Sequence, residues 1–241
     1  MRIFKIVLLA AGMLSVVSLQ AQTVDEIISK YFEALGGKEK VASMKTVYME
    51  YDVDMNGNAA SGITWVVNKK AMKNEIDFMG QHVIQCYTDT SGWGINPFMQ
   101  QTTPAIMKPD EVKAGKGPMD LDGPFYDYAA KGNKIDLLGK DTVDGKAAYK
   151  LKIINKDGIE VITWIDAATW YVLKNQSKAT VQGTEVTSSL SMSNYKKTES
   201  GYLMPFNAEL TMSTGLTINF TYKKVEINKE IDMKIFEMPR Q

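Results

Sequence analysis

Of the side chains that act as nucleophile, base or metal ligand near neutral pH, the chain holds one histidine, His82, and one cysteine, Cys86. They stand four residues apart. On a strand both would share a face, which supplies two ligands and not a metal site. A Cys–His nucleophile also needs an orienting group and oxyanion donors, which spacing does not show, so the plain alternative is a pair without a chemical role. Asp52 and Asp54 share a strand face too, as a glycosidase carboxylate pair would, or as a solvated face does. There is no Gly-x-Ser-x-Gly elbow, phosphate-binding glycine loop or His-Glu-x-x-His helix in the 241 residues. Most enzyme chemistry is therefore hard to place, no cofactor or metal is expected, and an envelope hydrolase using scattered carboxylates is the least favoured reading left. A single thiol also excludes an internal disulfide. The 28 basic and 28 acidic side chains cancel, which argues against a nucleic-acid partner, because polyanion binding needs a basic surplus. With 44% hydrophobic and 23% charged residues, the chain has the composition of a folded protein.

The elements that must position these residues begin after an export signal. Arg2 and Lys5 precede an apolar run over 6–17 and a small-residue exit at Ser18-Leu19-Gln20-Ala21, which predicts cleavage after Ala21. A retained anchor is the alternative, although twelve apolar residues are short for a span. Val24, Ile27, Ile28, Tyr31 and Leu35 then fall on one helical face, with Thr23 and Glu26 as a capping box and Gly36-Gly37 as the stop. This helix is read as packing on the domain rather than on a membrane, since its polar face carries Asp25, Glu26 and Glu33. From Thr46 the period becomes two. Val47, Met49, Tyr51, Val53 and Met55 point one way, and Asn56-Gly57 reads as a hairpin turn. Ile63, Trp65 and Val67 are read as continuing that buried face, followed by Met72, Ile76 and Phe78. Strands recur around 135–138, 149–154, 159–165, 170–174, 186–192, 206–212 and 216–222, separated by glycine turns. About ten strands in meander order predict a large curved antiparallel sheet or open barrel.

One stretch, about 104–132, breaks the alternation and reads as a helical lid. Pro109-Asp110-Glu111 opens a first helix, and a second is expected from Asp120 to Lys131. No linker or repeat divides the rest, so 22–241 is taken as one domain of α+β class. The 15 methionines and four tryptophans suit a flexible apolar pocket, or simply a core. The residues assigned to a cavity under the lid are Met49, Tyr51, Val53, Trp65, Ile76, Phe78, Trp93, Phe98, Met107, Met119, Leu121, Phe125 and Tyr126. Gly115, Gly117 and Gly123 are the expected hinges.

Several phrases resemble a known family. They are Tyr31-Phe32-Glu33-Ala34-Leu35-Gly36-Gly37 with Met44-Lys45-Thr46, Gly92-Trp93-Gly94-Ile95-Asn96-Pro97, and Met119-Asp120-Leu121-Asp122-Gly123-Pro124-Phe125-Tyr126-Asp127-Tyr128. Gly145-Lys146-Ala147-Ala148-Tyr149-Lys150-Leu151, Trp164-Ile165-Asp166, Gly201-Tyr202-Leu203-Met204-Pro205-Phe206 and Phe236-Glu237-Met238-Pro239 follow. In order and spacing they are similar to the LolA-like superfamily of periplasmic lipoprotein carriers, in its diverged Bacteroidetes-type form. The resemblance implies a half-open β-barrel capped by an N-terminal helix and a central lid, and no enzymatic activity. It also implies a monomeric periplasmic carrier that holds the acyl chains of a lipoprotein or another lipid during outer-membrane trafficking. Inner- or outer-membrane release or receptor proteins would be its partners. Family carriers resemble one another in holding the lid with a barrel arginine, whereas the arginines here are Arg2 and Arg240 alone. A relative that binds another lipid therefore fits as well, and so does a non-enzymatic envelope sensor or interaction module with a dry barrel core.

Overall fold

Alternating strands joined by tight turns produce one large sheet, seen in a computed structural model that describes residues 22–181 and 184–240. The export signal expected over 1–21, with cleavage after Ala21, lies outside the described residues. Helix α1 (Val24–Ala34) starts at the expected capping box: Glu26 N donates to Thr23 Oγ1 at 3.2 Å, and Thr23 N to Glu26 Oε2 at 3.0 Å. Gly36 and Gly37, at φ 98° and 109°, end it and lead into a short α2 (Lys38–Ala42).

Among the described residues thirteen strands follow: β1 (Thr46–Met55), β2 (Asn58–Val67), β3 (Ala71–Phe78), β4 (Gln81–Thr88), β5 (Gly92–Asn96), β6 (Gln101–Ile106), β7 (Lys134–Val143), β8 (Lys146–Ile154), β9 (Glu160–Asp166), β10 (Val172–Val181), β11 (Thr184–Lys197), β12 (Leu203–Met212) and β13 (Thr217–Ile227). Their order across the sheet is β6-β5-β4-β3-β2-β1-β13-β12-β11-β10-β9-β8-β7. The chain therefore starts mid-sheet, runs outward to β6, crosses to the far edge at β7, and meanders back until β13 pairs with β1. Every neighbouring pair is antiparallel, and β6 and β7 are free edges, so the curved sheet is not a closed barrel.

The 104–132 stretch is the crossing segment, and its detail differs from expectation. Residues 104–106 belong to β6, α3 (Pro109–Gly115) is the expected first helix, and a 3₁₀ turn covers Gly117–Met119. From Asp120 to Gly132 the chain is a run of turns rather than a second helix. Gly123, at φ 73°, and Pro124 interrupt any regular helix there. The lid is thus a strap with one short helix.

Register settles the faces. Asn56 and Gly57 both have positive φ, as a two-residue hairpin turn requires, and they pair Met55 with Asn58. Val47 then lies opposite Val66 and Tyr48 opposite Trp65. Cross-strand partners share a face, so Trp65 lies on the opposite side from Val47, which corrects its expected position. By the same pairing Trp93 joins Cys86 and Lys73 on that outer face.

Two cores result. On the inner face, Ile27, Ile28 and Phe32 of α1 meet Val47, Val66, Leu151, Ile153, Ile165, Val225 and Ile227. On the outer face, a 3₁₀ turn over Met233–Phe236 presses Phe236 onto Ala71, Ile84, Cys86 and Trp93, with Trp65 packed alongside. Trp93 Nε1 donates to the Phe236 carbonyl at 2.8 Å, which holds this C-terminal segment in place. Among the described residues no helix is long and apolar enough to cross a membrane.

Candidate functional site

The chemistry-bearing residues have structural surroundings. His82 Nδ1 sits 2.7 Å from Asp77 Oδ1 on an exposed strand, and Cys86 is buried against the C-terminal segment. Burial pushes the Cys86 thiol up to about 11, so it is not a thiolate at neutral pH. Asp52 pairs with Lys223 at 2.7 Å, and Asp54 Oδ1 accepts from Gly57 N in the hairpin turn. Among the described residues no cluster of three His, Cys, Asp or Glu could hold a metal ion.

What the fold does build is an apolar cavity of about 300 Å3 between α1, the strap and the inner face. Tyr31 of α1, Leu35 at its C-cap, Val41 of α2 and Met44 beyond it form one wall. Leu121, Gly123, Pro124 and Phe125 of the strap form the second, while Val47, Val172, Met192, Tyr195 and Met204 form the floor. The Tyr31 and Phe125 rings meet edge-on at 5.0 Å, joining helix to strap. The polar groups of the lining are largely satisfied among themselves. Tyr195 Oη donates to the Val172 carbonyl at 2.8 Å, Thr163 Oγ1 to Asn175 Oδ1 at 2.8 Å, and the Tyr202 hydroxyl lies 2.8 Å from Ser43 Oγ. Burial raises the Tyr31 hydroxyl to about 12 and pushes Tyr195 up as well, so both remain neutral. A lining that is apolar or internally hydrogen-bonded favours hydrocarbon over water.

The strap is fastened without arginine. The Asp122 carboxylate, 6% exposed, accepts from Asn68 Nδ2 at 3.0 Å and from Lys69 Nζ, both in the β2–β3 turn. Leu121 N donates to Asn68 Oδ1 at 3.1 Å, and Lys69 N to the Met119 carbonyl at 2.8 Å. Further along, Lys131 bonds Asp120 at 2.5 Å and the Gly123 carbonyl at 2.8 Å, Lys38 bonds Asp127, and Tyr128 bonds Asp25. Asn68, Lys69 and Asp122 form this latch, and the only trace of it in the sequence is a polar turn between two strands.

Of the residues expected to form the cavity, Leu121 and Phe125 line it. Met49, Tyr51, Val53, Ile76 and Phe78 share the inner face by register, further along the groove. That part of the groove is filled: Tyr51 lies across Gly62, where an added Cβ would fall 2.5 Å from its ring, and packs on Phe220 and Tyr222. Met119 is buried under the β2–β3 turn, and Met107 covers Gly92 and Gly94. Tyr126 stacks edge-on against Phe32, under the Lys38 ammonium. Phe98 is 53% exposed beside Phe78. Trp65 and Trp93 belong to the outer core. Of the three glycines, Gly115 abuts the Tyr87 ring so closely that a Cβ would lie 2.1 Å away, which explains the glycine by contact; Gly117 and Gly123 border open space. Met44, Met192, Met204, Tyr195 and Tyr202 also line the cavity but are absent from the sequence-based assignment, and only Met192 lies within a strand span read from the sequence.

No protein-family model matches the sequence, and no curated protein matches it. Solved structures do resemble the fold. A LolA superfamily protein from Nitrosomonas europaea superposes with a TM-score of 0.59 at 13% identity, covering 90% of this chain and 98% of its own. A DUF1329 family protein from Desulfovibrio piger gives 0.57 at 13% identity, with 87% and 97% covered. A domain from Vibrio parahaemolyticus, provisionally described as an outer membrane lipoprotein-sorting protein, gives 0.56 at 14% identity, with 87% and 97% covered. The chain therefore has the LolA-like fold, a curved open antiparallel sheet with a helix and a strap across its inner face.

Proposed function

We propose that this is a non-catalytic envelope protein that shelters an acyl chain of a lipid or lipoprotein in the cavity under the strap. The observation that carries the reading is the cavity itself, with its apolar lining and a wall made by a strap that side-chain bonds hold shut. A void of about 150 Å3 takes up benzene, so this one has room for about twelve carbon atoms, one chain rather than several. Burying about twelve such carbons contributes roughly 10 kcal/mol, against an association cost of about 4–15 kcal/mol. Chain burial alone thus gives weak binding, which suits cargo that must be handed on. Export to the periplasm and delivery to membrane release or receptor proteins complete the proposal. The arginine that resembling carriers use is replaced by the Asn68–Lys69–Asp122 latch, with Lys69 as a single ammonium rather than a planar fork.

A second reading, an interaction or sensor module, draws on an exposed apolar set. Met79, Met99 and Ile106 are 69%, 75% and 77% exposed. Native mass spectrometry with lipid extraction, on protein purified from the envelope fraction, separates the two. A co-purifying acylated ligand released on denaturation supports the carrier. Protein that stays empty when offered lipids and acylated peptides supports the module.

A further inference from the structure

Gly123 and Pro124 of the strap border two spaces. On one side is the apolar cavity, and on the other a cleft of about 690 Å3 between the strap and the β8–β9 turn. The cleft is lined by Lys69, Lys113, Lys116, Lys131 and Lys156, brought together from separate parts of the chain. Two of these are committed to the strap: Lys131 to Asp120, and Lys69 to Asp122. The other three are not balanced. Lys113 and Lys156 share one carboxylate, Asp157, at 3.5 and 2.9 Å. Lys116 meets no carboxylate within ion-pair distance among the described residues and donates instead to the Asp89 carbonyl. In a chain of formal net charge zero, three ammonium groups around one carboxylate form a local cationic surplus. Gly123 lines both spaces and carries no side chain into either; a Cβ there would meet nothing within 4 Å.

We infer that the cleft receives the anionic headgroup, phosphate or carboxylate, of a single-chain amphiphile whose tail enters the apolar cavity past Gly123. This rests on the acyl-binding function proposed above and names the class of ligand. Ammonium groups on flexible stems suit a phosphate, which they approach as point charges from several directions.

Calorimetric titration of the purified protein with dodecyl phosphate, dodecyl glucoside and inorganic phosphate tests it. Dodecyl phosphate binds at least tenfold more tightly than the glucoside at low salt, and the preference shrinks as salt rises. A Lys113→Gln/Lys116→Gln/Lys156→Gln variant, which leaves the Asn68–Lys69–Asp122 latch and the Lys131 bonds in place, brings the two affinities together without changing glucoside binding. Equal affinities in the unmodified protein overturn the headgroup inference and leave the acyl-binding function standing. Failure of both amphiphiles to bind overturns both. Inorganic phosphate binding as tightly as dodecyl phosphate marks a free-anion site and overturns the link to the cavity. A preference that survives the triple substitution removes the lysines from the account.

Discussion

Replacing Asp122 with alanine removes the carboxylate that fastens the strap to the β2–β3 turn. Asp122 is 6% exposed and accepts one hydrogen bond from Asn68 at 3.0 Å and another from Lys69. A hydrogen bond to a charged group contributes roughly 1.5–3 kcal/mol. The Lys69 side chain is 56% exposed, so its ion pair is screened and adds less than about 1 kcal/mol. The sum is about 2 kcal/mol, or a roughly 30-fold rise in the population of states with the latch broken. Amide hydrogen exchange read by mass spectrometry reports this directly. The Leu121 amide, bonded to Asn68 Oδ1, and the Lys69 amide, bonded to the Met119 carbonyl, exchange through strap opening and accelerate by about that factor. Amides that exchange only by global unfolding, such as Leu151 in β8, lose the same protection, because unfolding also breaks the latch. The Asp144-Gly145 hairpin tip, which frays without disturbing the latch, does not change. Unchanged exchange at Leu121 and Lys69 would refute the latch.

Met204→Trp, on the cavity floor, fills space that an acyl chain would occupy. It lowers affinity for an apolar fluorescent probe more than tenfold while costing about 1–3 kcal/mol of stability, measured by urea unfolding; probe binding at the original strength would show that ligand lies elsewhere. Phe236→Ala deletes the side chain that the C-terminal segment presses into the outer core. It lowers stability by about 3–5 kcal/mol and leaves probe affinity in the folded fraction unaltered, whereas a selective loss of binding would join the two cores functionally. The Trp164 indole, donating at 3.0 Å, together with the Thr142 amide and Lys150, holds the Asp141 carboxyl down at about 2. A depressed carboxylate contributes stability above its ordinary value near 4 and loses that contribution as the pH falls towards 2. The Tm difference between the protein and Asp141→Asn is therefore present at pH 6 and mostly lost by pH 2; a difference independent of pH would remove the carboxylate's charge from the account.

The alternating run at Val47–Met55 was legible because only one face of β1 is packed along its length, and alternation reports that asymmetry. The same logic misplaced Trp65. Strands β2 and β3 contribute to both cores, Val66 and Met72 on the inner side and Trp65, Val67 and Ala71 on the outer, so apolar residues stand on both faces and no clean period survives. Strands β4 to β6 escaped notice for a related reason. Gln81 and Gln85 face inward in β4, while Ile84 and Cys86 face the outer core. The strap was half legible. Pro109-Asp110-Glu111 begins a true helix, but from Asp120 onward the conformation is dictated by bonds to Asn68 and Lys69, which lie 54 and 53 positions from Asp122, and by the bond from Asn133 to the Pro124 carbonyl. The cavity residues were harder still. Met44, Met192 and Met204 come together only because β1 and β13 meet at the centre of the sheet, and no local pattern encodes that meeting.

Photo-crosslinking with a twelve-carbon fatty acid carrying a diazirine near its tail, followed by peptide mapping, bears most directly on the acyl-binding cavity. Attachment at Met44, Met192, Met204 or Tyr202, abolished by excess unlabelled fatty acid, is the predicted result. Attachment confined to the outer-face Trp65 and Trp93, or to exposed Met79 and Met99, would contradict it.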